Sequence, residues 1–282
     1  MILHIENGRL GNQLFQYIGL KKYFPKDKII YLGFKNPQES FDNFNINFLN
    51  MKRVYNIFFV LLKSTIIFLT KIRVLGKIYE DTDSKNYKIN IKKGIFRRVS
   101  VCCDCYFQHK DAIKKIDNPP ILKSQVHKKA LNWLKEKGID SKKDKIVFVH
   151  IRRGDYLNYP SKEFPAVLGI NWYMRAINFL QEKLQTPIFI LMSDDQQYLK
   201  DVFKETSSIF ISNNESEIDL SIMSLCSDGI LSPSSFAWWG ALYAKNYNQN
   251  DNYFIAPKYW AGHRMKKWFP KNFHSEWITY VE

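Results

Sequence analysis

Short apolar runs alternate along the chain with longer segments whose apolar residues recur every three or four positions. Residues 2–5 form such a run and predict a buried first strand. Gly8-Arg9-Leu10-Gly11 then reads as a turn. Residues 12–24 read as a helix with Leu14, Phe15, Ile18 and Phe24 available to one face. A second strand is predicted over 28–32, and the stretch from there to about Arg98 is expected to be mostly helical. Residues 99–107 look strand-like. An amphipathic helix over 122–137 carries Val126, Ala130, Leu131 and Leu134 on one stripe. The polar stretch 138–145 reads as a domain boundary.

Beyond it the alternation is regular. Strands are predicted over 146–151, 187–192, 209–212, 229–231 and 253–256. Helices are predicted over 171–184, just after Asp195, and over 217–225 and 234–244. Strands alternating with helices at this spacing indicate an α/β fold, with a parallel sheet covered on both faces. Two domains are expected, 1–140 and 141–282. Parallel sheets bind ligands beyond the carboxyl ends of their strands, so the residues delivered there decide the chemistry.

Three constellations fall at such strand ends. Residues 147–156, VFVHIRRGDY, bring His150, Arg152, Arg153 and Asp155 to the edge of the sheet. Neighbouring guanidiniums repel each other, and each matches the oxygens of a phosphate in a two-pronged fork. As a plain surface Arg-Asp pair the same residues would be worth about 0–1 kcal/mol. Residues 231–241, LSPSSFAWWGA, put Ser234 and Ser235 where a helix begins. Hydroxyls and free N–H groups there suit an anion, or serve as an ordinary helix cap. Trp238 and Trp239 are expected to pack the helix on the sheet. Residues 8–17, GRLGNQLFQY, form a glycine turn that brings Asn12 and Gln13 forward; it is neither a dinucleotide fingerprint nor a P-loop. Ser193, Asp194 and Asp195 follow another strand. They can accept hydrogen bonds from ribose or guanine, or cap the next helix.

Charge changes the picture next. The chain has 282 residues and a formal net charge of +15, with 45% hydrophobic and 16% aromatic residues. That is ample for a core, and the excess charge implies an anionic partner. The excess is concentrated in 51–98, where Lys52, Arg53, Lys71, Arg73 and eight further Lys or Arg face only Glu80, Asp81 and Asp83. Within it, 54–69 is apolar but shorter than the roughly 20 residues of a spanning helix. It predicts either a core helix or a helix docked on a membrane surface. No motif pairs basic and stacking residues in the manner of a nucleic-acid binder, so nucleic acid is not expected as a partner. Cys102, Cys103, Cys105 and Cys226 lack zinc spacing and are expected as buried thiols in a reducing compartment. The N-terminus, MILHIE, lacks the basic start and long apolar stretch of a signal peptide, which points to the cytoplasm.

The turn GRLGNQLFQY, the segment HIRRGDY, the Ser193-Asp194-Asp195 turn, SSFAWWGA and Tyr106-Phe107-Gln108 together resemble the motifs of bacterial α-1,2-fucosyltransferases, in the same order and across most of the chain. The protein O-fucosyltransferases share a reduced form of the first two. The resemblance implies a GT-B fold, two Rossmann-like domains facing a cleft, with 1–140 on the acceptor side and 141–282 binding the donor. It implies GDP-fucose as donor, inversion at the anomeric carbon, and no metal or other cofactor. By matching positions, Arg152, Asp155 and Asn12 would be catalytic, Arg152 holding the pyrophosphate and stabilising the departing GDP. Arg153 would shape that loop, and His150, Ser193, Asp194 and Asp195 would lie near the nucleoside. Ser234, Ser235 and Phe236 would contact phosphate, and Gly11 would approach from the facing domain. Two departures, Arg9 for the usual glycine and Pro233 for the usual asparagine, bear on which sugar the donor carries.

Transfer needs charge stabilisation on a leaving diphosphate, which an arginine and helix N-terminal amides supply without a metal. Asp155 and Glu163 are the candidates for the base that takes the acceptor proton. By family analogy the acceptor is a terminal galactose of a surface glycan such as an O-antigen repeat, lipid-linked in one version, with 51–98 contacting the inner membrane face. The rival readings are a transferase of the same fold with another GDP-sugar, and a membrane-docked basic interaction protein without catalysis. The second leaves the double arginine and Ser-Ser turns without a role.

Overall fold

A computed structural model describes residues 1–33, 35–42, 55–82, 87–116, 118–248 and 252–282, and divides the chain into two units, Met1–Ile121 and Leu122–Glu282.

In the first unit the order is β1 (Ile2–Ile5), α1 (Leu10–Tyr23), β2 (Ile29–Leu32), a short α2 (Lys35–Ser40), β3 (Phe41–Asp42), α3 (Tyr55–Lys71), β4 (Gly76–Asp81), β5 (Lys88–Lys92), β6 (Ser100–Cys102) and α4 (Lys110–Ile113), with β7 (Ile121–Leu122) at the junction. A five-stranded sheet runs β2-β1-β6-β4-β5. β1 is parallel to both β2 and β6, and β4 is parallel to β6. β5 closes the edge antiparallel to β4, with Lys77 opposite Lys92 and Ile78 opposite Ile91. This hairpin corrects the expectation of mostly helix up to Arg98. α3 is the helix expected there; it buries Ile66 against Ile5 and Val101, with Leu62 and Ile67 partly covered. β6 is shorter than the strand expected over 99–107, because the chain leaves the sheet after Cys102. Cys102, Cys105 and Cys226 are buried and Cys103 half-buried, all as free thiols.

The second unit holds α5 (Ser124–Glu136), β8 (Ile146–Ile151), α6 (Ile170–Lys183), β9 (Ile188–Ser193), α7 (Gln196–Val202), β10 (Ile209–Ile211), α8 (Ser216–Leu225), β11 (Asp228–Leu231), α9 (Ser235–Tyr247), β12 (Phe254–Pro257) and β13 (Thr279–Val281). Its six-stranded sheet runs β10-β9-β8-β11-β12-β13, and every pair is parallel. The first strand of the unit is therefore central. The chain winds outward on one side through β9 and β10, then crosses back to β11 and its successors. This is the doubly wound order, and its switch point lies between β8 and β11.

Successive strand residues point to opposite faces. Val147, Val149 and Ile151 pack with Trp172, Tyr173 and Ile177 of α6 and Leu199 of α7 in one buried cluster. The alternate residues face the other side, where the His150 ring meets Phe236 of α9 at 5.5 Å. Trp238 and Trp239 are fully buried, and the Trp238 indole donates to Ser275 Oγ at 2.9 Å. They pack the helix on the sheet, as expected.

The boundary between the units falls at 121/122, ahead of the 140/141 expected from sequence. The stretch 138–145 is instead the close of α5. Gly138 takes φ +73, and the Gly138 and Ile139 amides donate to Lys135 and Leu134 carbonyls. Glycine in the left-handed region commonly ends a helix this way. Val126, Ala130, Trp133 and Leu134 are the buried face of α5, which belongs to the second unit.

Candidate active site

The carboxyl ends of β8 and β11 are stitched together at the switch point. The Ser232 amide donates to the His150 carbonyl at 3.0 Å. Ser232 Oγ lies 2.6 Å from His150 Nδ1, with both residues buried. Burial, reinforced by the Arg152 charge, pushes His150 down to about 3. The imidazole is therefore neutral across the physiological range and acts as a spacer rather than a proton carrier. After β8 the chain makes a 3-10 turn over Gly154–Leu157. The Tyr156 hydroxyl donates from there to the Pro233 carbonyl at 2.9 Å. Any residue supplies that carbonyl, so the departure to proline at 233 leaves the contact intact.

On this frame sit the charges. Arg152 donates to Asp155 Oδ1 at 2.5 Å and pairs with Asp194 Oδ2 at 3.0 Å, its side chain only 12% exposed. Asp194 also accepts the Arg153 amide at 2.9 Å. The Arg153 side chain pairs with Asp195 at 3.1 Å and lies 3.6 Å over the Tyr198 ring. A Cβ at Gly154 would come within 2.4 Å of Asp194 Oδ2, so a side chain there would displace the carboxylate that pairs with Arg152. Asp195 caps α7 by accepting from the Tyr198 amide, and Ser193 Oγ accepts from the Asp195 amide. Ser234 caps α9 by accepting from the Phe236 amide at 3.3 Å, and Ser235 opens the helix. The result is an arginine pair beside a helix N-terminus at a sheet switch point, an arrangement suited to a diphosphate.

The first unit has its own polar turn, after β1. Gly8 at φ +84 brings the backbone against Asn12. Gln16, fully buried, donates to the Asn7 carbonyl and accepts from the Asn7 amide. Gln13 donates to Glu6 Oε2 and to the Gly8 carbonyl. Asn12 Oδ1 accepts from Gln108 Nε2 at 2.8 Å, which joins the glycine turn to the Tyr106-Phe107-Gln108 loop. That loop is held by Glu80, which accepts from the Tyr106 and Phe107 amides and the Tyr87 hydroxyl. Gly11 lies buried in the first turn of α1, and Arg9 is its exposed N-cap.

Over residues 5–282 the sequence matches the family described as glycosyl transferase family 11. The chain belongs to glycosyl transferase family 11. It is similar to the O-antigen biosynthesis glycosyltransferase WbnK of Escherichia coli, 28% identical over 202 residues that cover 68% of this chain and 63% of WbnK. The chain thus matches less than two thirds of that relative's length. It is also similar to an alpha-1,2-colitosyltransferase of Escherichia coli, 27% identical over 90% of both chains. Among solved structures it resembles the fucosyltransferase NodZ from Bradyrhizobium, with a TM-score of 0.51 at 12% identity over 86% of this chain and 91% of that one. POFUT1 in complex with GDP gives a TM-score of 0.51 at 12% identity over 88% and 95%. These likenesses show a shared mixed α/β fold with parallel sheets.

In this family 11 glycosyltransferase the structure gathers His150, Arg152, Arg153, Asp155, Ser193, Asp194 and Asp195 in one cluster within the second unit. Phe236 joins it through the His150 ring, and Ser234 through α9. Asp194 and Asp195 hold the two arginines, and Asp155, a candidate base, is engaged by Arg152. Glu163 stands exposed in the loop that follows. An Asp-x-Asp spacing, Asp81-Thr82-Asp83, ends β4, and Asp83 lies outside the described residues. Sequence reasoning passed over Ser232, Tyr156, Tyr198 and Glu80. Ser232 directly follows the strand that pairs with β8, in a register placing Leu231 opposite His150, a placement that the fold and not the sequence reveals.

Proposed function

We propose that this enzyme transfers L-fucose from GDP-fucose, with inversion, to a galactose hydroxyl of a surface glycan in α-1,2 linkage. The observation that carries the reading is the Arg152–Asp155–Asp194 cluster at the switch point of the all-parallel sheet, beside the N-terminus of α9. We read the chain as a GT-B enzyme, its second unit serving the donor and its first the acceptor. The acceptor is a galactose-terminated glycan, lipid-linked where it belongs to an O-antigen. The enzyme would work on the cytoplasmic side of the membrane.

A guanidinium carries five N–H donors, so two carboxylates leave donors for phosphate oxygens. Asp155 and Asp194 fix the fork before the donor arrives. No reorganisation is then needed as charge develops on the departing diphosphate, and the α9 amides share that charge. Charge is thereby met without a metal, and turnover is expected to survive EDTA. Burial of the Ser232–His150 pair keeps the floor of the crevice rigid and neutral.

A second reading has its own support: the relative matched over 90% of both chains is named for colitose rather than fucose. A donor-by-acceptor screen with GDP-fucose and other GDP-sugars, with linkage analysis of the product, tests both. Fucosyl product in α-1,2 linkage supports the first. Product only with another GDP-sugar moves the donor and keeps the class. No turnover with any GDP-sugar overturns the proposal.

A further inference from the structure

α3 buries one stripe and leaves the opposite one open. Ile66 and Thr70 are 6% and 9% exposed, whereas Leu61, Phe68 and Ile72 are 62%, 59% and 50% exposed. Steps of seven and four residues put those three on one face of the helix. The apolar surface continues past the helix end. The Ile95 and Phe96 amides donate to the Arg73 and Val74 carbonyls, which seats that loop against the chain leaving α3. Ile95 is 75% and Phe96 61% exposed. Large apolar side chains exposed together, rather than singly, mark a surface that meets something.

The charges these two segments carry are of one sign. Lys71, Arg73, Lys93, Arg97 and Arg98 are all exposed, and neither 59–75 nor 91–98 contains an Asp or Glu. No described helix is long and apolar enough to cross a membrane. We propose that this face of the first unit is a docking surface for an anionic lipid bilayer, with Leu61, Phe68, Ile72, Ile95 and Phe96 entering the headgroup region and the five cations contacting lipid phosphates. A helix with one apolar face lies in the interface plane, and flanking cations add attraction to acidic headgroups. Lys52, Arg53 and Lys85, part of the basic excess in the sequence, lie outside the described residues. The proposal stands without them, and without any assumption about which sugar is transferred.

The test is flotation of the full chain with vesicles of phosphatidylcholine alone and with added phosphatidylglycerol. Binding is expected only to the anionic vesicles, and it should weaken with salt. The quadruple change Lys71→Gln, Arg73→Gln, Arg97→Gln, Arg98→Gln should weaken it about fivefold per cation removed. Phe68→Ser with Phe96→Ser should abolish it at unchanged charge. All six side chains are exposed, so circular dichroism should match the parent, and transfer to a short soluble acceptor should be retained by both variants. Absence of flotation at low salt overturns the proposal. So does binding that ignores Phe68 and Phe96. A concentration-dependent dimer lost in Phe68→Ser with Phe96→Ser, without vesicle binding, would assign the face to a second copy of this chain instead. Loss of transfer in the parent protein would count against the proposed function and leave docking to be read from flotation alone.

Discussion

The glycine turn after β1 and the arginine turn after β8 occupy similar topological places, each at the carboxyl end of an interior strand, yet they are built from different materials. The first is lined mostly by neutral amides, Asn7, Asn12, Gln13, Gln16 and Gln108, tied to one another, to backbone and to the Glu6 carboxylate. The second is built from full charges, Arg152 and Arg153 against Asp155, Asp194 and Asp195. Neutral amides offer donors and acceptors in equal measure, which matches sugar hydroxyls. Fixed guanidiniums match a diphosphate and stabilise the charge it gains on leaving. We read this difference as a division of labour, in which the second unit would handle charge and the first would handle hydroxyls.

The largest effect expected from breaking this division is at Arg152. Arg152→Ala should lower turnover about 10²–10³-fold, the typical cost of losing one preorganised charge contact in the transition state. Unfolding curves should show a retained fold. Arg152→Lys should also fail, because an ammonium cannot reproduce the fork. A folded alanine variant with near-normal turnover would remove the charge role from the second unit. Asp194→Asn comes next, since it loosens the fork without removing it. Hydrogen bonds to charged groups contribute about 1.5–3 kcal/mol, so a loss of about tenfold or more in kcat/KM is expected.

A third test concerns the neutral floor under those charges. Folded His150 stays deprotonated down to about 3, while the unfolded residue takes up a proton near 6.5. Below that pH the unfolded state binds more protons, so this residue's contribution falls as pH falls, by up to about 1.4 kcal/mol per pH unit. Urea unfolding at pH 7, 6 and 5 should show the parent losing stability relative to His150→Asn. A pH-independent difference would mean the imidazole is not held neutral. The smallest effect is expected in the first unit. Gln108→Ala removes one neutral hydrogen bond to Asn12, worth about 0.5–1.5 kcal/mol. The acceptor KM should rise about two- to tenfold while GDP-sugar hydrolysis is unchanged. A change confined to donor hydrolysis would reverse the assignment of the first unit.

The two units also differ in how far their sequence could be read. In the second, apolar strands such as 146–151 are buried on both faces, and amphipathic helices separate them. Pattern alone therefore placed most elements close to their observed ends. In the first, β4 and β5 carry Lys, Glu, Asp and Asn among their apolar residues, and β5 is an edge strand. Half-exposed strands give a weak periodic signal, so pattern alone favours helix where the hairpin stands. The site was legible as motifs because strand ends and helix caps demand particular residue types. The pairing of arginines with Asp194 and Asp195 was not, because it joins residues 41 or 42 positions apart through a sheet register. Ser232 and Glu80 stayed hidden because one small hydroxyl or one buried carboxylate has no pattern of its own.

Calorimetric titration of GDP, without any sugar or acceptor, tests the central claim most directly. The account predicts that the parent chain binds GDP with metal chelated, that Arg152→Ala loses most of that affinity, and that Gln108→Ala keeps it. GDP binding that is absent in the parent, or equal in all three proteins, would contradict the placement of the diphosphate at the Arg152 turn.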